Sequence, residues 1–134
     1  MSDRSAVLFA NEQFYVAFAS CDLAGMQRIW ASNVDVSCIH PGRGPILGRE
    51  EVLESWQSIF SNPDSPEIQC RDPKVNLHTN IAVISCLEQI DNQLLCATNV
   101  FVCDTNLWNI VHHQSGTVSL DYWQTRDQLD KTIN

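Results

Sequence analysis

Long apolar runs are missing from this chain, and so is any block of like charge. No stretch approaches the ~20 apolar residues that a membrane-spanning helix needs. The opening MSDRSAVLFANEQF is interrupted by Asn11, Glu12 and Gln13 too early for a secretory leader. Positive charge is scarce: eight Lys and Arg stand against sixteen Asp and Glu, a net charge of −8. Nucleic-acid backbones and anionic membrane surfaces are recognised through basic patches, so neither is expected as a partner. Close-spaced metal ligands are absent as well. There is no CxxC, CxC, HxH or HxxxH, and no bound metal is expected. PGRGPILG fits neither GxGxxG nor the P-loop pattern, so no cofactor is expected either. The default location is cytoplasmic.

What the chain does contain is one domain's worth of material, 134 residues with 44% apolar content. Its six cysteines sit mostly inside apolar runs such as IAVISCL and NVFVC, where they read as buried free thiols behaving like small hydrophobes.

Residues 4–20 carry an apolar stripe, Val7, Ala10, Phe14, Ala17 and Phe18, which predicts a helix. Asp22 is placed to cap a second, shorter helix with Leu23, Met26 and Trp30 on its inner face. VDVSCIHP alternates and stops at Pro41, a strand running into the loop PGRGP. In REEVLESWQSIF, Val52, Leu53, Trp56, Ile59 and Phe60 mark a third helix, which Asn62-Pro63 ends. Four β-type runs follow, EIQCRDPKVNLH, IAVISCLEQI, QLLCATNVFVCD and LWNIVHHQSGTVSL. The last three are joined by the short links Asp91-Asn92 and Thr105-Asn106, which suggest antiparallel hairpins. Helices followed by a strand meander make an α+β domain with the helices on one face of the sheet. Residues 121–134 read as a polar tail.

If both links are two-residue turns, the strand register follows. Ile84 then lies opposite Asn99, Glu88 opposite Leu95, and Asn99 opposite His112. Opposed side chains share a face. One face therefore holds Ala82, Ile84, Cys86, Glu88, Leu95, Ala97, Asn99, Phe101, Trp108, Ile110, His112 and Gln114, while His113, Val111, Thr98 and Ser115 lie on the other. A one-residue bulge would exchange these assignments.

Four segments in order, FYVAFASCDLAGMQRIW, VDVSCIHPGRGPILGREEVLESW, ATNVF and WNIVHHQSG, give residues 5–120 a resemblance to the nuclear-transport-factor-2-like superfamily. The chain most resembles its SnoaL-like and ketosteroid-isomerase-like members. WNIVHHQSG also resembles the end of the association domain of calcium/calmodulin-dependent protein kinase. The resemblance implies a single SnoaL-like domain over residues 1–134. Its fold would be a cone-shaped α+β barrel, with three N-terminal helices packed on a strongly curved, mostly antiparallel sheet around an apolar pocket. It implies that the isomerases' general base falls at His40, before Pro41, and their oxyanion-donating tyrosine at Phe14, with Tyr15 next door. The kinase domain's basic pocket residues would fall at Asn99 and Gln114.

Candidate catalytic residues are His40, Glu88 and His112, with Tyr15, Trp56, Asn99 and Gln114 as candidate ligand-binding residues. Glu88 follows Ile84 and Cys86 on one face of an apolar strand. It reads either as a carboxyl with a raised pKa, suited to a general base, or as a rim carboxylate paired with an arginine. His40 is placed for a pocket mouth or for capping a local turn. His112 is either an acid or base of the pocket or a core histidine bonded to Asn99 or Gln114. Two functions follow: acid–base chemistry on a small apolar oxygenated ligand, or a non-catalytic association module. Leu94, Thr98, Val100, Val102, Val111 and His113 make an outer face too apolar for water, so a homodimer is expected.

Overall fold

A computed structural model describes residues 2–64, 67–119 and 121. The first helix, α1 (Asp3–Ala19), opens with the Ser2 hydroxyl accepting the Ser5 amide, which satisfies one of the free donors of the first turn. Val7, Ala10, Asn11, Phe14, Tyr15 and Ala17 form its buried stripe. Asp22 caps α2 (Leu23–Ile29) by accepting from the Gly25 amide at 3.0 Å. A Cβ on Gly25 would stand 2.7 Å from the Asp22 carboxylate, so the glycine leaves room for this cap. At the other end of α2 the Arg49 guanidinium donates to the carbonyls of Gln27 and Trp30, a cation placed where the helix dipole is negative.

The third helix, α3 (Arg49–Phe60), starts at Gly48, whose φ of 93° suits a residue without a side chain. Glu50 and Glu51 in its first turn complement the dipole, and the helix stops ahead of Asn62-Pro63. Val52 and Trp56 are fully buried, with Leu53, Ile59 and Phe60 packed half-buried around them. The rings of Phe14 and Trp56 meet edge to face with centroids 5.6 Å apart, joining α1 to α3.

The sheet has six strands: β1 (Ser37–Ile39), β2 (Ile46–Leu47), β3 (Ile68–Leu77), β4 (Ile81–Ile90), β5 (Gln93–Asp104) and β6 (Leu107–Thr117). They lie in the order β2-β1-β6-β5-β4-β3, a curved and unclosed sheet packed beneath the three helices. All its pairings are antiparallel except β1 with β6. The fold is the expected α+β cone. VDVSCIHP contributes only a three-residue strand, and the loop after it supplies the two-residue β2, which is too short to show an alternation. The predicted tail, 121–134, lies outside the described residues apart from Asp121.

Both short links are two-residue turns, with Ile90 opposite Gln93 and Asp104 opposite Leu107. Thr105 and Asn106 take φ of 50° and 66°, the left-handed pair that matches strand twist in a tight hairpin. The register holds from Asp104↔Leu107 to Phe101↔Ile110, and there it shifts. Val100 pairs with His112, so Val111 is an extra residue in β6. Such a bulge bends its strand and reverses the facing of every later side chain. His113 and Ser115 consequently point inward and are buried, while His112 and Gln114 point outward. The predicted placement of these four residues is thereby corrected. A second bulge, between Arg71 and Lys74, takes up Asp72 and Pro73 on edge strand β3, where a missing amide donor costs no ladder bond.

Candidate active site

Glu88 is the charged residue at the centre of the inner face, only 1% exposed. Alternation along β4 delivers it there after Ala82, Ile84 and Cys86. Its two oxygens have separate partners. The Ser115 hydroxyl donates to Oε1 at 2.5 Å, and the Tyr15 hydroxyl donates to Oε2 at 2.6 Å. Burial raises the carboxyl pKa above its ordinary 4.5, and the two donors pull only partly against it. The alternative of a rim carboxylate paired with arginine does not describe this group.

Tyr15 is buried on α1, one residue past the position that the resemblance pointed to. Phe14 there is pure core, while Tyr15 carries the hydroxyl. Besides donating to Glu88, that hydroxyl accepts from Asn99 Nδ2 at 3.1 Å and lies 3.2 Å from Cys86 Sγ. Burial and the nearby carboxyl hold the phenol well above its usual range, so it stays protonated.

Asn99, fully buried on β5, orients the rest. Its amide nitrogen also donates to Asn11 Oδ1 at 2.9 Å, which leaves its oxygen to accept from His113 Nδ1 at 2.6 Å. That bond fixes the proton of His113 on Nδ1 and turns Nε2 toward Glu88 Oε2, 3.9 Å away. Burial lowers the His113 pKa to about 3, with His40 and His112 adding smaller effects. A neutral imidazole at that distance from a carboxyl is a polar contact and not an ion pair.

His40 is 4% exposed and does not stand at a mouth. Its Nε2 donates to Ser55 Oγ at 2.9 Å, and Ser55 passes its own proton to the Val52 carbonyl, tying the end of β1 to α3. Its ring lies edge-on to Trp56 at 4.9 Å and 6.4 Å from His113. Desolvation, helped by Arg43, brings its pKa down to about 4. Trp56 is fully buried core, within 5.8 Å of the His113 ring. Outside, half-buried His112 bonds through Nδ1 to Ser37 Oγ at 2.7 Å, and Gln114 is exposed.

The structure therefore brings together Tyr15, Glu88 and Asn99, keeps His40 and Trp56 beside them, and removes His112 and Gln114. In their place stand His113, Ser115 and Asn11. Asn11 had a visible signal: it falls four residues after Val7 and three before Phe14, a polar residue on the apolar stripe. No comparable mark distinguished His113 or Ser115.

A groove of about 870 Å³ opens between α1 and β3, lined by Leu8, Phe9, Asn11, Tyr15, Ile68 and Cys70 among others. Its size falls in the range of small-molecule sites. Glu88 and Asn99 do not line it; they stand one residue behind, reached through Tyr15 and Asn11, and His113 stands behind Asn99. Among the described residues, no three His, Cys, Asp or Glu side chains are grouped to hold a metal ion.

Residues 7–119 match the family model of the SnoaL-like domain. Among solved structures, the chain is similar to a candidate dehydratase of the NTF2-like family from Streptomyces avermitilis. The two are 28% identical, over 86% of this chain and 95% of that one, with a TM-score of 0.79. A calcium/calmodulin-dependent protein kinase type II association domain from Thiobacillus denitrificans, so described as a candidate, is 27% identical. That match covers 82% of this chain and 93% of the other, with a TM-score of 0.70. The F-box protein SKIP8 of Arabidopsis thaliana is 27% identical over 118 residues, which is 87% of this chain. The chain spans about half the length of that protein, 51%.

Proposed function

The chain belongs to the SnoaL-like domain family, and within it we propose a cofactor-independent small-molecule site that performs acid–base chemistry on an apolar, oxygenated ligand. One observation carries this reading: Tyr15 reaches both the groove and the buried carboxyl of Glu88. When Glu88 is protonated, its own O–H serves Tyr15, and the phenol proton is free to turn toward a ligand carbonyl or hydroxyl in the groove. When Glu88 is ionised, it draws the phenol proton back. The pair thus donates to, or withdraws a proton from, a ligand oxygen while water stays outside, which suits isomerisation or elimination next to a carbonyl. His113 and Asn99 hold the geometry, and Asn99 hydrogen-bonds the phenol oxygen. Within this reading His40 positions Trp56 and the end of β1, and His112 takes no part.

The test is turnover of small enones and β-hydroxy ketones as a function of pH. Glu88→Gln is expected to abolish its pH dependence and lower the rate by ~10²–10⁴-fold, the usual contribution of a positioned acid or base. Equal turnover in Glu88→Gln, or none in the parent chain, would remove the reading.

A second reading rests on the other sheet face. Val83, Val100, Val102 and Val111 remain half-buried in the single chain, an apolar surface that a second copy would cover. We propose a homodimer through this face, with His112 replacing His113 in it. The candidate kinase association domain, 27% identical, supports an assembly role for the same fold. Light scattering at micromolar concentration checks it, and a monomer would contradict it. The six free thiols support a reducing, cytoplasmic setting.

A further inference from the structure

Cys70 stands half-buried on the wall of the groove. It faces inward from β3 opposite Glu88, and the thiol of buried Cys86 on β4 is hydrogen-bonded to its sulfur. A second donor comes from α1, where Asn11 Nδ2 approaches Cys70 Sγ at 3.6 Å. The aim of that amide is set several residues away. His113 donates to the Asn99 oxygen, Asn99 donates to the Asn11 oxygen, and Asn11 is left with its nitrogen turned to the sulfur. Two donors on one sulfur favour the thiolate over the thiol. Glu88 on β4 and Asp72 on β3 act in the opposite direction, as does burial, yet the balance leaves the Cys70 thiol below its ordinary 9.0. The partner thiol is raised and keeps its proton.

We propose that Cys70 is a covalent-capture site: a groove-facing thiolate, held by Asn11 and Cys86, that adds to soft electrophiles of the α,β-unsaturated carbonyl class. The sulfur lone pair forms a C–S bond to the β-carbon, and the C=C π pair moves onto the carbonyl as an enolate. The α-carbon then takes up a proton from solvent, equal to the one the thiol released on ionising, so no oxidant or leaving group is needed. The apolar walls, Leu8, Phe9 and Ile68, suit the hydrocarbon part of such a ligand. Glu88's proton chemistry is not required, so a chain that turns nothing over but captures electrophiles at Cys70 separates the two proposals.

The exposed thiols Cys21 and Cys96 serve as internal standards. The folded chain is pulsed at pH 6.5 with less than one equivalent of N-ethylmaleimide, quenched and mapped by peptide mass. Each unit of added acidity multiplies the thiolate about tenfold and weakens its nucleophilicity about threefold, a net gain of about threefold. Cys70 is expected to react faster than Cys21 and Cys96, although it is the more buried. Cys86→Ala should erase that advantage and Cys86→Ser, which retains a donor, should keep it, with circular dichroism confirming that each variant is folded. Cys70 reacting no faster than the exposed thiols, or at an unchanged rate in folded Cys86→Ala, would overturn the proposal.

Discussion

His112 and His113 are adjacent in the chain and occupy different surroundings. His112 is half-buried on the outer sheet face, held by the Ser37 hydroxyl at 2.7 Å. His113 is 1% exposed, within ring-contact range of Phe14 and Trp56, and spends its Nδ1 proton on a buried asparagine. The difference between a surface histidine and a sealed one is set by Val111, a residue that touches neither role. One extra residue in a strand chooses which of two identical side chains joins the carboxyl of Glu88.

Inserting one alanine between Val111 and His112 should break that comparison most completely. With the single bulge kept, β6 slides by one residue beyond it, so that His112 falls opposite Asn99 and Gln114 opposite Ala97, both inward, and His113 and Ser115 are expelled. Glu88 loses the Ser115 donor and Asn99 faces the wrong partner. Urea unfolding should show a loss above about 4 kcal/mol, the range reserved for a broken buried network. A loss under about 1 kcal/mol would mean that the strand tolerates either register.

Asn99→Leu keeps the volume and removes the hub. His113, Asn11 and Tyr15 each lose a partner, at about 1–3 kcal/mol for every buried group left unsatisfied. Thr98→Leu on the outer face, one residue away and exposed, should change stability by less than about 0.5 kcal/mol. Equal effects at the two positions would contradict the assignment of faces.

The effect of pH builds up gradually. His113 and His40, at about 3 and about 4, bind protons more weakly folded than unfolded. As pH falls below 6.5 the unfolded chain takes up protons first, so stability declines toward acid, by up to about 1.4 kcal/mol per unit for each histidine. Glu88 has the opposite sign. Its raised folded pKa contributes stability below the unfolded value near 4.5, and that contribution is lost as pH rises through the folded value. His113→Gln should flatten the acid side of the stability profile and Glu88→Gln the higher-pH side. Denaturant midpoints measured from pH 4 to pH 8 check both.

The helices were legible because each shows a 3.6-residue stripe and a local signal at an end: Asp22 before α2, Asn62-Pro63 after α3. The two hairpin turns were legible for a similar reason, since each link carries an asparagine, a residue type that accepts left-handed φ, as Asn106 does at 66°. The bulge was not. Val111 is an ordinary strand residue, and in WNIVHHQSG nothing marks one position as extra; the choice is made by packing, which places Trp108, Ile110, His113 and Ser115 inward together. Glu88 stood out because a carboxylate broke an apolar face. Asn11 broke a helical stripe in the same way. His40 was located correctly at a strand end, but the cover that α3 provides through Ser55 depends on tertiary contacts that local pattern does not carry.

The central claim is that a buried carboxyl, its pKa raised by burial, works through Tyr15 on the wall of the groove. A carbon-13 NMR titration of the Glu88 carboxyl tests it most directly, in the parent chain and in Tyr15→Phe. The account predicts a midpoint clearly above 4.5 in the parent, and a higher one in Tyr15→Phe, because that change removes a donor that favours the ionised form. A midpoint at or below 4.5, or one that Tyr15→Phe leaves unmoved, would contradict it.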